Sequence, residues 1–120
     1  MKQTNPEIKN LGPEGEEIAI RFLKDKGFRI IHTNYKTPLG EADIVACDKD
    51  ATVFIEVKTR SNERFGEPFE AVNERKRKKL RKIALYYHKH ADNRAAMRFD
   101  VISIKRKDGG YLIEHIVDAF

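Results

Sequence analysis

The segment from Thr52 to Thr59 places two opposite charges on a strand face that periodicity assigns to the core. Its β-branched residues predict a strand. Side chains alternate along a strand, so Glu56 and Lys58 share a face with Phe54, while Val53, Ile55 and Val57 share the other. Because an unpaired buried charge is costly, we expect the two side chains to meet each other, a cation or a cleft.

The spacing of apolar residues predicts two helices and five strands within the 120 residues. One helix is expected from Gly15 to Lys26, and another from an N-cap at Asn73 to about His90. The predicted strands are 28–34, 42–47, 52–59, 98–105 and 111–117. This order indicates an α/β sheet flanked by helices. We expect a single domain over residues 1–120, with residues 1–10 as a flexible arm.

Three more charged residues fall on faces that should be buried. A hairpin turn at 48–50 places Asp43 near Glu56, although a slip of one residue in register would turn Asp43 to the other face. Glu16 and Lys76 lie on the apolar stripes of the two helices. Several carboxylates at one point favour a hard cation such as Mg²⁺, and a neighbouring lysine can orient water or neutralise charge on phosphorus. The cluster therefore indicates metal-assisted phosphodiester hydrolysis.

Positive charge is concentrated at the start of the second predicted helix. The chain has 24 Lys and Arg against 19 Asp and Glu, a net charge of +5, and seven of the eight residues from Arg75 to Lys82 are basic. Cations in a first helical turn oppose the helix dipole and repel one another, which a bound phosphate would relieve. We expect the outward residues to contact a nucleic-acid backbone; the alternative is a solvated face.

Hydropathy and cysteine content indicate the cellular compartment of the protein. The apolar runs are far shorter than the roughly 20 residues that span a bilayer, and no signal peptide is evident. Cys47 is the only cysteine, which leaves no internal disulfide and no thiolate zinc site. We expect a soluble, cytoplasmic protein with no membrane partner.

Two motifs resemble the PD-(D/E)XK restriction-endonuclease-like nuclease superfamily: Gly-Glu-Ala-Asp at 40–43 and Phe-Ile-Glu-Val-Lys-Thr-Arg at 54–60. More closely, the chain is similar to the YraN family of uncharacterised bacterial proteins within that superfamily, and so to archaeal Holliday junction resolvases. The match also includes Leu11-Gly12, Gly15-Glu16, Asn34, Phe65-Gly66, Lys76 and the segment 98–101.

This resemblance implies a restriction-endonuclease-like fold with a central mixed sheet of about five strands flanked by helices. It implies a Mg²⁺ or Mn²⁺ ion bound by Asp43, Glu56 and a main-chain carbonyl near Val57. Lys58 would be the catalytic lysine, and Glu16 the helix-one acid that completes the site. Lys76 matches a polar helix position. The basic residues expected to contact nucleic acid are Arg60, Arg75, Lys76, Lys78 and Lys79.

The leading hypothesis is a Mg²⁺-dependent endonuclease that acts on DNA, with branched or structured DNA suggested by analogy with the resolvases. A homodimer would suit two-strand cleavage, although no sequence feature specifies one. The alternative is a non-catalytic nucleic-acid-binding protein that retains the nuclease fold, and a third hypothesis is a folded adaptor. A pure binder does not need the acid-acid-lysine set, and an adaptor does not need the basic helix.

The candidate residues also have structural interpretations. Glu56 and Lys58 can be a solvated ion pair on an edge strand. Asp43 can bond a turn amide, and Glu16 can simply interact with the helix dipole. Asp100 is expected to pair with a basic group for structural reasons. No two histidines have convincing ligand spacing.

Overall fold

A computed structural model describes residues 12–60, 74–91 and 96–120. In chain order, the elements are α1 (Gly12–Asp25), β1 (Arg29–Thr37), β2 (Gly40–Asp48), β3 (Ala51–Arg60), α2 (Glu74–Ala91), β4 (Ala96–Lys107) and β5 (Gly110–Ile116). Within these ranges, the predicted order of one helix, three strands, one helix and two strands is confirmed. The predicted N-cap Asn73 and the Phe65-Gly66 motif lie outside the described residues.

The turn between β1 and β2 is tighter than the sequence suggested. The Thr37 hydroxyl accepts a 3.0 Å hydrogen bond from the Leu39 amide and donates a 2.9 Å bond to the Gly40 carbonyl. Gly40 has a φ of +141°, a conformation that favours glycine. These features close the hairpin over Pro38 and Leu39, so both strands extend to the turn.

The strands form one mixed sheet in the order β1-β2-β3-β4-β5. β3 and β4 are parallel, and the other neighbouring pairs are antiparallel. Parallel neighbours need a crossover connection, and the segment that contains α2 supplies it. The five-stranded mixed sheet with its two flanking helices confirms the predicted α/β, restriction-endonuclease-like fold.

The two helices cover opposite faces of the sheet. On one face, Ala19 and Leu23 of α1 pack against alternate residues of the strands, including Val53 and Ile55. On the other face, the apolar stripe of α2 packs against the residues between them, including Phe54. Because Glu56 and Lys58 alternate with the α1-facing residues, they lie on the side that α2 covers.

Gly15 allows the first turns of α1 to approach β3 closely. A Cβ at this position would lie 2.6 Å from Cγ2 of Thr59, closer than real Cβ contacts occur. Thr59 follows Lys58 directly, so this contact brings the start of α1 beside the charged end of β3. The neighbouring Glu16 is thereby placed close to that end of the strand.

A buried hydrogen-bonded network holds β4 to β5 and to the C-terminal segment. Arg98 donates two 2.9 Å bonds to the carboxylate of Asp100, which is 1% exposed, and a third to Asp48. His115 Nε2 lies 2.8 Å from Asp100 Oδ2, and the Asp118 amide donates to Oδ1. The expected structural pairing of Asp100 with a basic group is confirmed.

His115 also joins the end of α1 to this network. Lys26 Nζ lies 2.8 Å from His115 Nδ1, and an ammonium group can only donate. Nδ1 therefore accepts this bond, and Nε2 carries the proton that is donated to Asp100.

No helix within the described ranges is both long enough and apolar enough to cross a membrane.

Candidate active site

The ladder between β2 and β3 stops where the predicted acids lie. The last paired residues at this end are Ile44 and Ile55, and the next opposite positions are Asp43 and Glu56. Asp43 Oδ2 accepts a 2.9 Å hydrogen bond from the backbone amide of Val57. A side-chain carboxylate thus takes the place of a backbone acceptor, and both acids lie where the pairing of β2 with β3 stops.

Side-chain alternation is interrupted at Asp43. Strict alternation would place Ala42 and Val45 on opposite faces, yet both pack into the cluster beneath α2, while Ile44 packs beneath α1. The face to which Asp43 points therefore does not follow from strand alternation alone. The carboxylate points across the ladder to β3, which is why it reaches the Val57 amide.

Glu56 is a buried carboxylate that contacts two lysines. Its side chain is 8% exposed, and its Oε2 lies 2.7 Å from Lys76 Nζ and 3.3 Å from Lys58 Nζ. Lys76 comes from the first turn of α2, which covers this face of the sheet. Because β3 is the central strand, the interpretation of Glu56 and Lys58 as a solvated edge-strand pair is wrong.

The neighbouring Glu56 carboxylate opposes the ionisation of Asp43. Burial raises the pKa of Asp43, and the neighbouring Glu56 carboxylate raises it further, to about 6. The hydrogen bond from the Val57 amide acts in the opposite direction. Glu16 adds a smaller repulsion and Lys76 a smaller attraction. A cation or a proton at this point would relieve the repulsion between the carboxylates.

The two lysines differ in how strongly they hold their protons. Burial lowers the pKa of Lys58, and the adjacent Lys76 lowers it further, against the attraction of Glu56. Burial also lowers the pKa of Lys76, but its hydrogen bonds to Glu56 and Lys58 outweigh this and raise the pKa above its ordinary value. Lys76 is therefore the firmly charged partner of Glu56, and Lys58 is the amine that loses its proton more readily.

Glu16 lies beside the acids without completing a ligand set. Its Oε1 accepts a 3.1 Å hydrogen bond from Nδ2 of Asn34, which has a φ of +51°. Asparagine tolerates this left-handed conformation better than most residues. Across the described parts of the chain, no three His, Cys, Asp or Glu side chains are arranged as a metal-binding group. Asp43 and Glu56 are the acids that the fold brings together.

This donor set fits a hard cation. Mg²⁺ is commonly held by one or two carboxylates and completes its shell with waters and substrate phosphate oxygens. Asp43 and Glu56 offer two carboxylates that repel each other where the β2–β3 ladder ends. Val57, whose carbonyl was the predicted third ligand, donates its amide to Asp43 at the same place.

The outward face of α2 carries the other predicted contacts. Arg75, Lys78 and Lys79 are exposed, whereas Lys76 turns inward to Glu56. The side chain of Arg60, which ends β3, lies outside the described residues.

One residue that the sequence did not single out, Leu39, joins this surface. Leu39 and Lys82, together with Arg75, Lys78 and Lys79, line a cavity of about 310 Å³. Lys82 belongs to the basic run predicted from the sequence, and it follows Lys78 by four residues and Lys79 by three, the spacing of one helix face. Leu39 comes from the β1–β2 turn, and no local pattern connects it to α2.

We expect Asp43→Asn to stabilise the metal-free protein at neutral pH. The folded-state pKa of about 6 exceeds the ordinary 3.8, so the folded protein binds more protons between these values. Stability is therefore lost as the pH rises from about 4 to about 6. The variant should gain about 1–2 kcal/mol in free energy of unfolding near pH 7, after allowance for partial exposure, and nothing near pH 4.

Urea denaturation in EDTA at the two pH values measures this difference. Asp50→Asn, in the exposed β2–β3 turn, is the matched control and should follow the wild type. If Asp43→Asn and the wild type keep the same stability difference at both pH values, the carboxylate is not the source of the pH dependence.

Comparison with known proteins places the chain among uncharacterised bacterial proteins of one family. The sequence model of the uncharacterised protein family UPF0102 matches residues 15–104. A UPF0102 protein of Thermodesulfovibrio yellowstonii is 47% identical over 92% of this chain and 95% of its own length. Those of Alkaliphilus oremlandii and Dictyoglomus thermophilum are 43% and 44% identical, each over 93% of this chain and 98% of its own. The chain therefore belongs to the UPF0102 family, which is the YraN family that its motifs resemble.

Proposed function

We propose that this protein is a metal-dependent nuclease that hydrolyses phosphodiester bonds in DNA, with branched or structured DNA as its substrate. One observation carries the proposal: the buried Glu56 carboxylate contacts two lysines and lies beside a second carboxylate, Asp43, whose pKa is raised to about 6. An ion pair needs only one acid and one base. A second acid that repels the first lowers the stability of the fold. This cost is explained if the two acids together bind a cation.

Each residue of the cluster has a role in this proposal. Asp43 and Glu56 would hold the metal, together with the carbonyl of Val57. Bound there, Mg²⁺ or Mn²⁺ would supply Lewis acidity toward the phosphate and acidify a bound water. Lys58 would position the attacking water through Nζ and, in the neutral form that its lowered pKa makes more accessible, would accept the proton that the water loses. Lys76 would hold the Glu56 carboxylate in place and oppose the negative charge that develops on the phosphate.

A cleavage assay tests the proposal on single-stranded, duplex and four-way-junction DNA, each with Mg²⁺ or Mn²⁺. Wild-type protein should cleave at least the junction in a metal-dependent manner, and Asp43→Ala should not. Asp50→Ala, in the exposed β2–β3 turn, should cleave as the wild type does. If the wild type cleaves none of the three substrates with either metal, the proposed activity is wrong.

The outward cations of α2 favour a second candidate, a nucleic-acid-binding protein without catalysis. This candidate predicts binding that weakens steeply as salt rises, together with no cleavage by the wild type. It also predicts that Asp43→Ala binds DNA as well as the wild type does. The cleavage and binding assays therefore distinguish the two functions.

A further inference from the structure

The cavity at the outward face of α2 is lined by four cationic side chains and one leucine. Its volume is about 310 Å³, and Leu39 of the β1–β2 turn forms part of its lining. The four cations that surround it all come from α2: Arg75, Lys78, Lys79 and Lys82. Within the ranges that the structure describes, none of the four forms an ion pair. Like charges this close repel one another, so the cavity favours an anionic occupant.

The wall of the cavity is held in place by the packing of the turn on α2. A Cβ on Gly40 would lie 2.9 Å from Cδ of Lys79 and 3.4 Å from Cδ1 of Ile83. The stem of Lys79 therefore lies directly on the glycine backbone. The Thr37 hydroxyl fixes the turn itself through two hydrogen bonds. The Lys79 stem and the turn thus form a preformed wall of the cavity, which lowers the entropic cost of binding there.

Leu39 distinguishes a polynucleotide from a simple anion. Its side chain is 44% exposed at the tip of the turn, among the cations. An isolated phosphate would neutralise charge but leave the leucine in water. A nucleic-acid strand presents phosphate next to the apolar face of a base. In a paired duplex that face is stacked away, so an apolar side chain reaches it only where bases are unpaired or prised apart.

We propose that this cavity binds the backbone of a nucleic-acid strand and that Leu39 packs against an unpaired base beside it. The inference rests on the proposed function and adds the feature that selects the substrate. The first two turns of α2 carry both Lys76, which contacts Glu56, and Lys79, which lines the cavity. These two positions are about 4.5 Å apart along the helix axis. A strand held in the cavity therefore lies close to the acids.

The charge contribution is tested by DNA binding in EDTA, measured by fluorescence anisotropy at several salt concentrations. The probes are a single strand, a fully paired duplex and the same duplex with an unpaired internal loop. The double variant Lys78→Gln and Lys82→Gln should bind the single strand about tenfold more weakly, with a salt slope reduced by about 1.4. The matched control, Arg21→Gln with Lys24→Gln on exposed α1, should bind like the wild type.

The leucine is tested with the same three probes. Leu39→Ser should bind the single strand and the looped duplex about fivefold more weakly and the paired duplex as the wild type does. Leu85→Ser, which changes a 59% exposed leucine of α2 outside the cavity lining, should leave all three affinities unchanged. Thermal denaturation of each variant verifies that it is folded.

Three outcomes would overturn the inference: equal losses in the two charge variants, a Leu39→Ser effect that does not differ between the probes, or displacement of DNA by equimolar inorganic phosphate. The last would indicate a site for small anions. The binding assay requires no cleavage. A wild type that binds as expected but does not cleave DNA would therefore contradict the proposed nuclease activity and not the proposed binding by this cavity.

Discussion

Replacing Lys58 by methionine is expected to lower the rate of DNA cleavage by about 10²–10⁴-fold. Methionine keeps most of the apolar stem and removes the ammonium group that lies 3.3 Å from Glu56 Oε2. Lys76 remains 2.7 Å from the same oxygen, so Glu56 keeps a cationic partner and the fold should persist. Single-turnover cleavage on the preferred substrate measures the rate, and urea denaturation measures the stability.

Lys24→Met, on the exposed side of α1, is the matched control and should cleave at the wild-type rate. Lys58→Met that cleaves within about threefold of the wild type would remove Lys58 from the chemistry. If its activity falls only in proportion to the fraction of folded protein, the role of Lys58 is structural. The two measurements therefore separate a catalytic lysine from a neutralising one.

Asp100→Ala is expected to lower the free energy of unfolding by about 3–5 kcal/mol at neutral pH. The change removes a buried carboxylate that accepts hydrogen bonds from Arg98, His115 and the Asp118 amide. Burial alone would raise the pKa of Asp100, but the bonds from His115 and Arg98 outweigh it and lower the pKa below 3.8. The stabilisation is therefore present at neutral pH and is lost as the pH falls through that lowered value.

Chemical denaturation at neutral and acidic pH measures this contribution. The difference between the wild type and Asp100→Ala should shrink in acid, as the wild-type carboxylate takes up its proton. Asp25→Ala, at the exposed end of α1, should cost less than about 1 kcal/mol. A comparably small cost for Asp100→Ala would mean that Arg98 and His115 find other partners.

The sequence predicted the charged face of β3 because the strand alternates regularly along its length. Val53 and Ile55 pack beneath α1, and Phe54 beneath α2, as that alternation requires. The inward orientation of Lys76 was also predicted correctly, because its spacing from the apolar stripe of α2 is unambiguous. Most of the candidate cluster could therefore be predicted because its residues lie in regular secondary structure.

Local patterns could not predict the features that depend on how distant segments meet. The orientation of Asp43 follows from the end of a ladder, where its carboxylate replaces a backbone acceptor. His115 meets Lys26 and Asp100 only after β5 has paired with β4. Leu39 joins the cations of α2 because its turn packs on that helix. In each case the missing information is tertiary.

The connection between β2 and β3 also bears on the order in which the site is assembled during folding. Asp43 and Glu56 belong to strands joined by a tight hairpin turn, whereas Lys76 arrives on the crossover between β3 and β4. Local hairpins close faster than long crossovers, because less chain entropy is lost. The acids are therefore expected to come together in a partly folded chain, where water still screens their repulsion. Docking of α2 then buries and neutralises Glu56 in one late step, so a complete site is also a sign of a completely folded protein.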